Sequence, residues 1–386
     1  MRKSQVTGVR LAGIASAVPT EVVSPEDEAA IFGLAESQRI AQSTGIHHRR
    51  LAAQGICVSD LCVAAAEPLL DSLNWSRDSV EALILITQSP DYILPATACS
   101  LHGRLGLHEN CAAFDVNLGC SGYTYGVWMA SHLIASGAAQ RVLLLAGETA
   151  TRCVGKEDRS SRLLFGDAAT VTAFEAAADA PAIHFRVGTD GTGQNQLIVP
   201  AGSFRLPKSP STSQSAEGPD GNPRSLEDVY MNGTEVFLFT IDRVPPLIRN
   251  TLEDAGWNID DVDSFVFHQA NQFMLKHLAQ HMKLPLDKIP FSLTDFGNTS
   301  SASVPLTMTV CLAEAMRTRP MKLLLAGFGV GFSWSSVAIQ TDRVVMPPLV
   351  EISTKDLRDK MFSVEDESAS HLPMEVRRAF HAGSNV

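Results

Sequence analysis

Short, uninterrupted apolar runs alternate with stretches of helical period along most of this chain. Residues 82–86 (ALILI), 142–146 (VLLLA), 265–267 (FVF) and 323–326 (LLLA) read as buried strands. Their continuity, rather than an apolar–polar alternation, suits a sheet covered on both faces. Residues 123–136 carry a helical pattern ended by Gly137, and residues 236–255 another ended by Gly256, the residue type that closes helices. At the N-terminus, residues 1–18 imitate a secretion signal, with Arg2 and Lys3 ahead of an apolar stretch at 11–17. That stretch is short, holds a glycine and follows a further charge at Arg10, so a buried first strand is the better reading. The pattern as a whole predicts an α/β protein with helices on both sides of its strands.

An internal echo refines this. Residues 75–84 (WSRDSVEALI) recur as 257–266 (WNIDDVDSFV), and 141–147 (RVLLLAG) as 321–327 (MKLLLAG), at offsets of 182 and 180. Two matches in the same order at nearly one spacing predict two halves built alike. The expected division is residues 1–178, residues 179–345 and a C-terminal extension, 346–386. Residues 201–226, rich in Ser, Pro and Gly, read as an exposed loop between the halves that could close as a lid. The charged segment after Pro347 and Pro348, with an amphipathic stretch at 356–362, looks appended to the core.

Composition narrows the class. With 386 residues, 45 % hydrophobic and 19 % charged, the chain can bury a large core, which excludes disordered and collagen-like readings. The net charge of −11 argues against nucleic acid as a main ligand, because an acidic surface repels phosphates. No apolar run reaches the ~18 residues of a membrane span. Seven cysteines, without framework or metal spacing, suit a reducing cytoplasm.

Three segments could carry chemistry. In 114–122 (FDVNLGCSG) a strand runs through a glycine turn into a helix starting near Ser121. A thiol at Cys120 would face the free N–H groups and positive end of that helix, which favour thiolate and make a nucleophile. Gly119 and Gly122 would permit a strained turn and close approach by a substrate. The other six cysteines read as inert. In 266–271 (VFHQAN) a strand ends in a polar cluster, which places His268 where ligands collect in α/β folds; the remaining histidines read as ordinary core or surface residues. In 296–305 (FGNTSSASVP) small residues start a helix, with Asn298 at or near its cap. Capping alone would explain Asn298, but it stands 178 residues after Cys120, and Phe291 stands 177 after Phe114. The duplication thus puts Asn298 and Cys120 at the same turn of their halves, facing one cleft.

With these segments in view, the sequence resembles the condensing enzymes of the thiolase superfamily, specifically β-ketoacyl-acyl carrier protein synthase III. The resemblance rests on Cys120 at its elbow, His268-Gln-Ala-Asn271 and Gly297-Asn298-Thr-Ser300. Residues 13–23, 164–169, 231–233 and 327–334 fit as well, so that about residues 8–342 are covered. Three ordered motifs are far more specific than one. The resemblance implies a five-layered αβαβα fold, a homodimer and ping-pong acyl transfer on Cys120 from coenzyme A or carrier-protein thioesters. It implies an oxyanion hole from the N–H groups of Cys120 and Val330, and hydrogen bonds from His268 and Asn298 to a malonyl-derived enolate. Asn271 would lie along the pantetheine arm. No metal and no cofactor beyond the thioester substrates is implied.

Departures from the family pattern accompany the matches. Arg39 and Ser43 stand where the family often has a tryptophan and an arginine that clamp the nucleotide, whereas Arg159 matches a nucleotide-contacting arginine. Phe273, Leu238, Gln280 and His281 replace basic residues for an acidic carrier protein, which would weaken docking by charge. Leu94, before Pro95, replaces a phenylalanine that limits the priming acyl group, suggesting room beyond acetyl. The expected function is an acyltransferase of fatty acid or polyketide biosynthesis that condenses the Cys120 acyl group with a malonyl thioester, losing CO2. The alternatives are transfer of that acyl group to a non-malonyl acceptor in secondary metabolism, with His268 as general base, and a partner subunit of a heteromeric synthase. A papain-type hydrolase would not use a duplicated parallel α/β array, and a thiolase would carry a second cysteine near 328–332.

Overall fold

The computed structural model describes residues 1–218 and 220–356. Eighteen elements position the site. Sheet one is built from β2 (Val9–Pro19), β3 (Ala82–Ile86), β4 (Ala112–Val116), β5 (Arg141–Glu148), β6 (Ala168–Ala176) and β11 (Val350–Ile352). Sheet two contains β1 (Arg2–Val6), β7 (Ile183–Thr189), β8 (Ser264–Phe267), β9 (Met321–Gly329) and β10 (Ser333–Thr341). The helices are α1 (Leu34–Thr44), α2 (Val58–Leu73), α3 (Thr97–Arg104), α4 (Gly122–Ala135), α5 (Gly233–Ala255), α6 (Gln272–Met282) and α7 (Ser303–Cys311).

The spatial order of sheet one is β11-β2-β6-β5-β3-β4, and that of sheet two is β1-β7-β10-β9-β8. Matching β2 to β7, β3 to β8, β5 to β9 and β6 to β10 makes the two orders coincide. Partner directions agree too: β3 runs parallel to β5 as β8 does to β9, while β5–β6 and β9–β10 are antiparallel. Both sequence echoes fall on equivalent strands, β3 with β8 and β5 with β9, as duplication requires.

Helices α4 and α7 lie between the sheets. Their Tyr123, Val127, Val304 and Met308 share one buried cluster with Ile84, Leu144, Val266 and Leu325 from the two inner faces. Helix α2 covers the outer face of sheet one and α5 that of sheet two. These are the five layers αβαβα. The apolar runs are continuous because each strand meets a helix on both sides: Ala82 through Ile86 and Leu323 through Ala326 are all 2 % exposed or less. Asn232 caps α5 by accepting from the Glu235 N–H, which starts the helix three residues ahead of its apolar periodicity.

Three expectations are revised. Residues 1–18 form two strands in different sheets, β1 pairing with β7 and β2 with β6. Residues 350–352, read as outside the core, run parallel to Ala17–Pro19 as the edge of sheet one, and Ile352 is buried. The segment 201–226 and the residues that follow it to Val229 are pinned to residues 153–159 instead of bridging two halves. Val229 N–H donates to Cys153 O at 2.7 Å, Arg224 pairs with fully buried Asp158 at 3.2 Å, and Arg159 donates to Asn222 Oδ1 at 3.2 Å. The stretch 356–362 lies, after its first residue, outside the described residues, as does the rest of the extension.

Candidate active site

Strand β4 delivers the chain to Cys120, two residues ahead of α4. Neither Gly119 nor Gly122 has a positive φ, so the turn is unstrained and the glycines serve space instead. A Cβ on Gly119 would stand 2.3 Å from Gln88 Oε1, and one on Gly122 2.3 Å from Ile86 Cγ2. The elbow is pressed from the other half by β9 and the turn after it. Gly329, at φ 158°, is the exception that does need glycine's freedom; a Cβ there would meet Cys120 Sγ at 2.9 Å.

Burial corrects the expectation for the thiol. Cys120 is 7 % exposed, and desolvation pushes its thiol up to about 11. Contacts from the Ser300 hydroxyl and from the backbone N–H groups of Val330 and Cys120 pull the other way. The helix start alone favours thiolate, but packing has stripped the sulfur of water, and the desolvation cost wins. The sulfur rests as a thiol at neutral pH. The same contacts bring Val330 N–H and Cys120 N–H to the sulfur together, where a carbonyl carbon would be attacked.

His268 follows β8 directly; its N–H donates to Ala326 O at 2.8 Å, locking it to the end of β9. The ring is 2 % exposed and meets the Phe328 ring edge-on at 5.8 Å. Burial lowers its pKa to about 4, and a hydrogen bond to the Ser300 backbone opposes this. The imidazole is neutral throughout the physiological range, with Nδ1 2.8 Å from Ser303 Oγ.

Asn298 lies in the loop before α7 and is 7 % exposed. Its Oδ1 accepts from Ser300 N–H at 2.9 Å, which leaves Nδ2 as the donor. Ser300 is the hub that sequence reasoning missed. With a left-handed φ of 50°, it offers N–H to Asn298, backbone to His268 and, at 4.0 Å, its hydroxyl to Cys120 Sγ. Cys120, His268 and Asn298 therefore converge around one residue, and the Val330 N–H reaches the Cys120 sulfur from the other half. Only the density of small hydroxyl residues at 299–303 hinted at this hub. Ser303 and the buried Glu148 were missed likewise; the signal for Glu148 was a charge ending an otherwise apolar run.

The other candidates stand apart. Asn271 caps α6, accepting from Met274 N–H at 2.8 Å, and is half-buried. Arg159 is exposed and held by Asn222; Arg39, on α1, is paired with Glu36 at 2.6 Å, and the field of Arg159 also reaches Glu36. Leu94 is 78 % exposed and forms no part of the buried site of its own chain.

This geometry has solved relatives. Sequence profiles described as 3-oxoacyl-(acyl-carrier-protein) synthase III and its C terminal match residues 114–191 and 252–341. The β-ketoacyl-(acyl-carrier-protein) synthase III 3 of Streptomyces coelicolor is 36 % identical over 334 residues, which is 85 % of this chain and 96 % of that protein. This chain belongs to the β-ketoacyl-acyl carrier protein synthase III family. The 3-oxoacyl-(acyl-carrier protein) synthase of Burkholderia xenovorans superposes with a TM-score of 0.86 at 41 % identity, covering 91 % of this chain and 99 % of that one. The priming β-ketosynthase of a polyketide biosynthetic pathway superposes at 0.74 with 27 % identity, covering 89 % and 99 %. As a synthase III the protein is a thiolase-fold, acyl-transferring condensing enzyme. Among the described residues no helix is long and apolar enough to cross a membrane.

Proposed function

We propose that Cys120 carries the acyl group and that His268 and Asn298 activate a malonyl thioester for condensation with it. The observation that supports this best is the convergence of all three on Ser300. In the first half-reaction the Cys120 sulfur attacks the carbonyl of an acyl thioester of coenzyme A or a carrier protein, and its proton leaves with the departing thiol. The N–H groups of Cys120 and Val330 hold the oxyanion. In the second, the carbonyl oxygen of malonyl-carrier thioester accepts from His268 Nε2–H and Asn298 Nδ2–H. That tautomer requires the Ser303 hydroxyl proton to turn from Ser300 O, to which it donates at 2.8 Å, onto Nδ1 at the same distance. The bond to CO2 breaks, its electron pair passes into the enolate, and the enolate carbon attacks the acyl-Cys120 carbonyl. The thiolate released takes up one proton, so the cycle yields 3-oxoacyl thioester, CO2 and free thiol. The neutrality that burial imposes on His268 suits a donor that must not carry charge to the site. No cofactor beyond the thioesters enters.

Asn271, ahead of α6, is the group we place along the pantetheine arm, and Arg159 the one near the nucleotide. The division of labour follows the halves, with the nucleophile from residues 1–178 and the activating pair from residues 179–345. We further propose a homodimer joined at the free edge of β4. Asp115 of β4 accepts from Thr97 and Ala98 N–H at 2.7 Å, which sets the exposed apolar residues Tyr92, Ile93 and Leu94 beside exposed Phe114. Leu94 then has a function only as part of that second surface. A free thiol nucleophile needs reducing surroundings, and we place the enzyme in the cytoplasm.

The test is intact mass after incubation with a panel of acyl-coenzyme A and acyl-carrier thioesters. An adduct of acyl mass on the native protein that is absent from Cys120→Ala supports the reading. No adduct with any donor refutes it.

A further inference from the structure

Beneath Cys120 lies a carboxyl group that the acyl-transfer steps do not use. Glu148 ends β5, is 1 % exposed, and gathers donors from two loops that are remote in sequence. From the loop after β3 come Gln88 N–H at 3.0 Å, the Ser89 hydroxyl at 2.8 Å and the Thr87 hydroxyl at 3.4 Å. From the loop that carries Asn298 comes the Ser301 hydroxyl at 3.2 Å.

None of these four donors carries a charge, so the group is a buried carboxyl solvated by dipoles alone. Both loops touch the reacting centre. Ser301 follows the hub residue Ser300. Gln88 fills the space beside Gly119 and donates from Nε2 to Asn117 Oδ1 at 3.1 Å, in the turn that leads to Cys120. The titratable groups within its field are Cys120 at the elbow and Cys153 in the turn Ala150–Cys153; its other neighbours are hydroxyl and amide groups.

We propose that Glu148 is a positioning residue that fastens the Asn298–Ser301 loop to the segment leading into Cys120, and whose negative charge restrains ionisation of the Cys120 thiol. This rests on the acyl-carrier role given to Cys120 above. A carboxylate fixed behind the sulfur disfavours a second negative charge there, so the nucleophile reacts more readily when Glu148 is neutral. Burial, which pushes Glu148 up to about 7, brings that change of charge into the working pH range.

The test compares the native full-length protein with Glu148→Gln, which keeps the shape and removes the charge, and with Ser301→Ala, which keeps the charge and removes one donor. The first readout is the rate of Cys120 alkylation by iodoacetamide against pH, which needs no acyl donor. The proposal predicts that Glu148→Gln moves the profile down by about one pH unit, a rise of several-fold in rate at pH 8. Ser301→Ala, by destabilising the carboxylate, moves it the same way but less. The second readout is kcat and KM for CO2 release from malonyl thioester. The loss of kcat in Ser301→Ala should shrink in the Glu148→Gln background, because the two residues act as one clamp. An unchanged alkylation profile in both variants, or fully additive losses of kcat, overturns the proposal. Should the native protein take no acyl group from any donor, the acyl-carrier reading fails by itself while the alkylation comparison still reads out Glu148.

Discussion

Replacing Gly329 by alanine should disable acylation by displacing one atom. A Cβ there would come within 2.7 Å of Cys120 Cβ and 2.9 Å of Sγ, about half an ångström inside ordinary contact. It would also force an L side chain onto a φ of 158°. Cys120 has little room to yield, because a Cβ on Gly327 would already touch its carbonyl oxygen at 2.8 Å. Overpacking costs roughly 1–3 kcal/mol and the glycine-only backbone about 1–3 more. Together these predict a fall in Tm of roughly 2–7 °C for a chain of this size. A sulfur pushed several tenths of an ångström from the Val330 N–H should lose roughly 10–100-fold in acylation rate. The assay is stopped-time intact mass with a saturating acyl thioester, beside a thermal melt. Gly233→Ala is the control, since a Cβ there meets nothing within 4 Å and should leave both quantities unchanged. A Gly329→Ala protein that acylates at the native rate with the native Tm would refute the packing argument.

Three further outcomes follow from the same structure. With the Cys120 thiol raised to about 11, its alkylation rate should climb close to tenfold per pH unit from pH 8 to 10, above the range in which Glu148 ionises; a plateau from pH 8 upward would show a thiolate stabilised by the helix start after all. Glu148 keeps its proton in the folded state up to about pH 7 but in the unfolded chain only to about 4.5, so stability is lost as pH rises through that window. By pH 8 the loss is up to about 3 kcal/mol; the native Tm should fall between pH 5 and 8 more steeply than that of Glu148→Gln, and parallel curves would contradict this. Glu28 and Arg49 form a buried pair at 2.6 Å, with Arg162 on the same carboxylate; Glu28→Gln strands two guanidinium groups and should cost about 3–5 kcal/mol in denaturant titration, whereas a loss below 1 kcal/mol would show the pair to be incidental.

The strands and the site motifs were legible because local signals carry them. Residues 82–86 and 323–326 are apolar on both faces, which few settings other than a covered sheet allow. Cys120, His268 and Asn298 each follow or precede a regular element, so spacing alone placed them at strand or helix ends. The state of the sulfur was not legible, because burial sets it, and the turn at Gly329 that presses on the sulfur lies about 210 residues away. Ser300 was hidden for a related reason: its role depends on a left-handed backbone that serine rarely adopts and no neighbouring residue announces. Strand β11 escaped notice because three residues after two prolines carry no periodicity, and only the waiting edge of β2 makes them a strand. Leu94 shows the converse case, a residue matched by motif position that the single chain leaves in solvent.

The proposed mechanism divides two half-reactions between two sets of residues. The most direct measurement is CO2 release from malonyl thioester by protein already acylated on Cys120, in native, His268→Ala and Asn298→Ala forms. Both variants should accept the acyl group yet release CO2 at least about 100-fold more slowly than the native protein. Native rates of CO2 release from either acylated variant would contradict it.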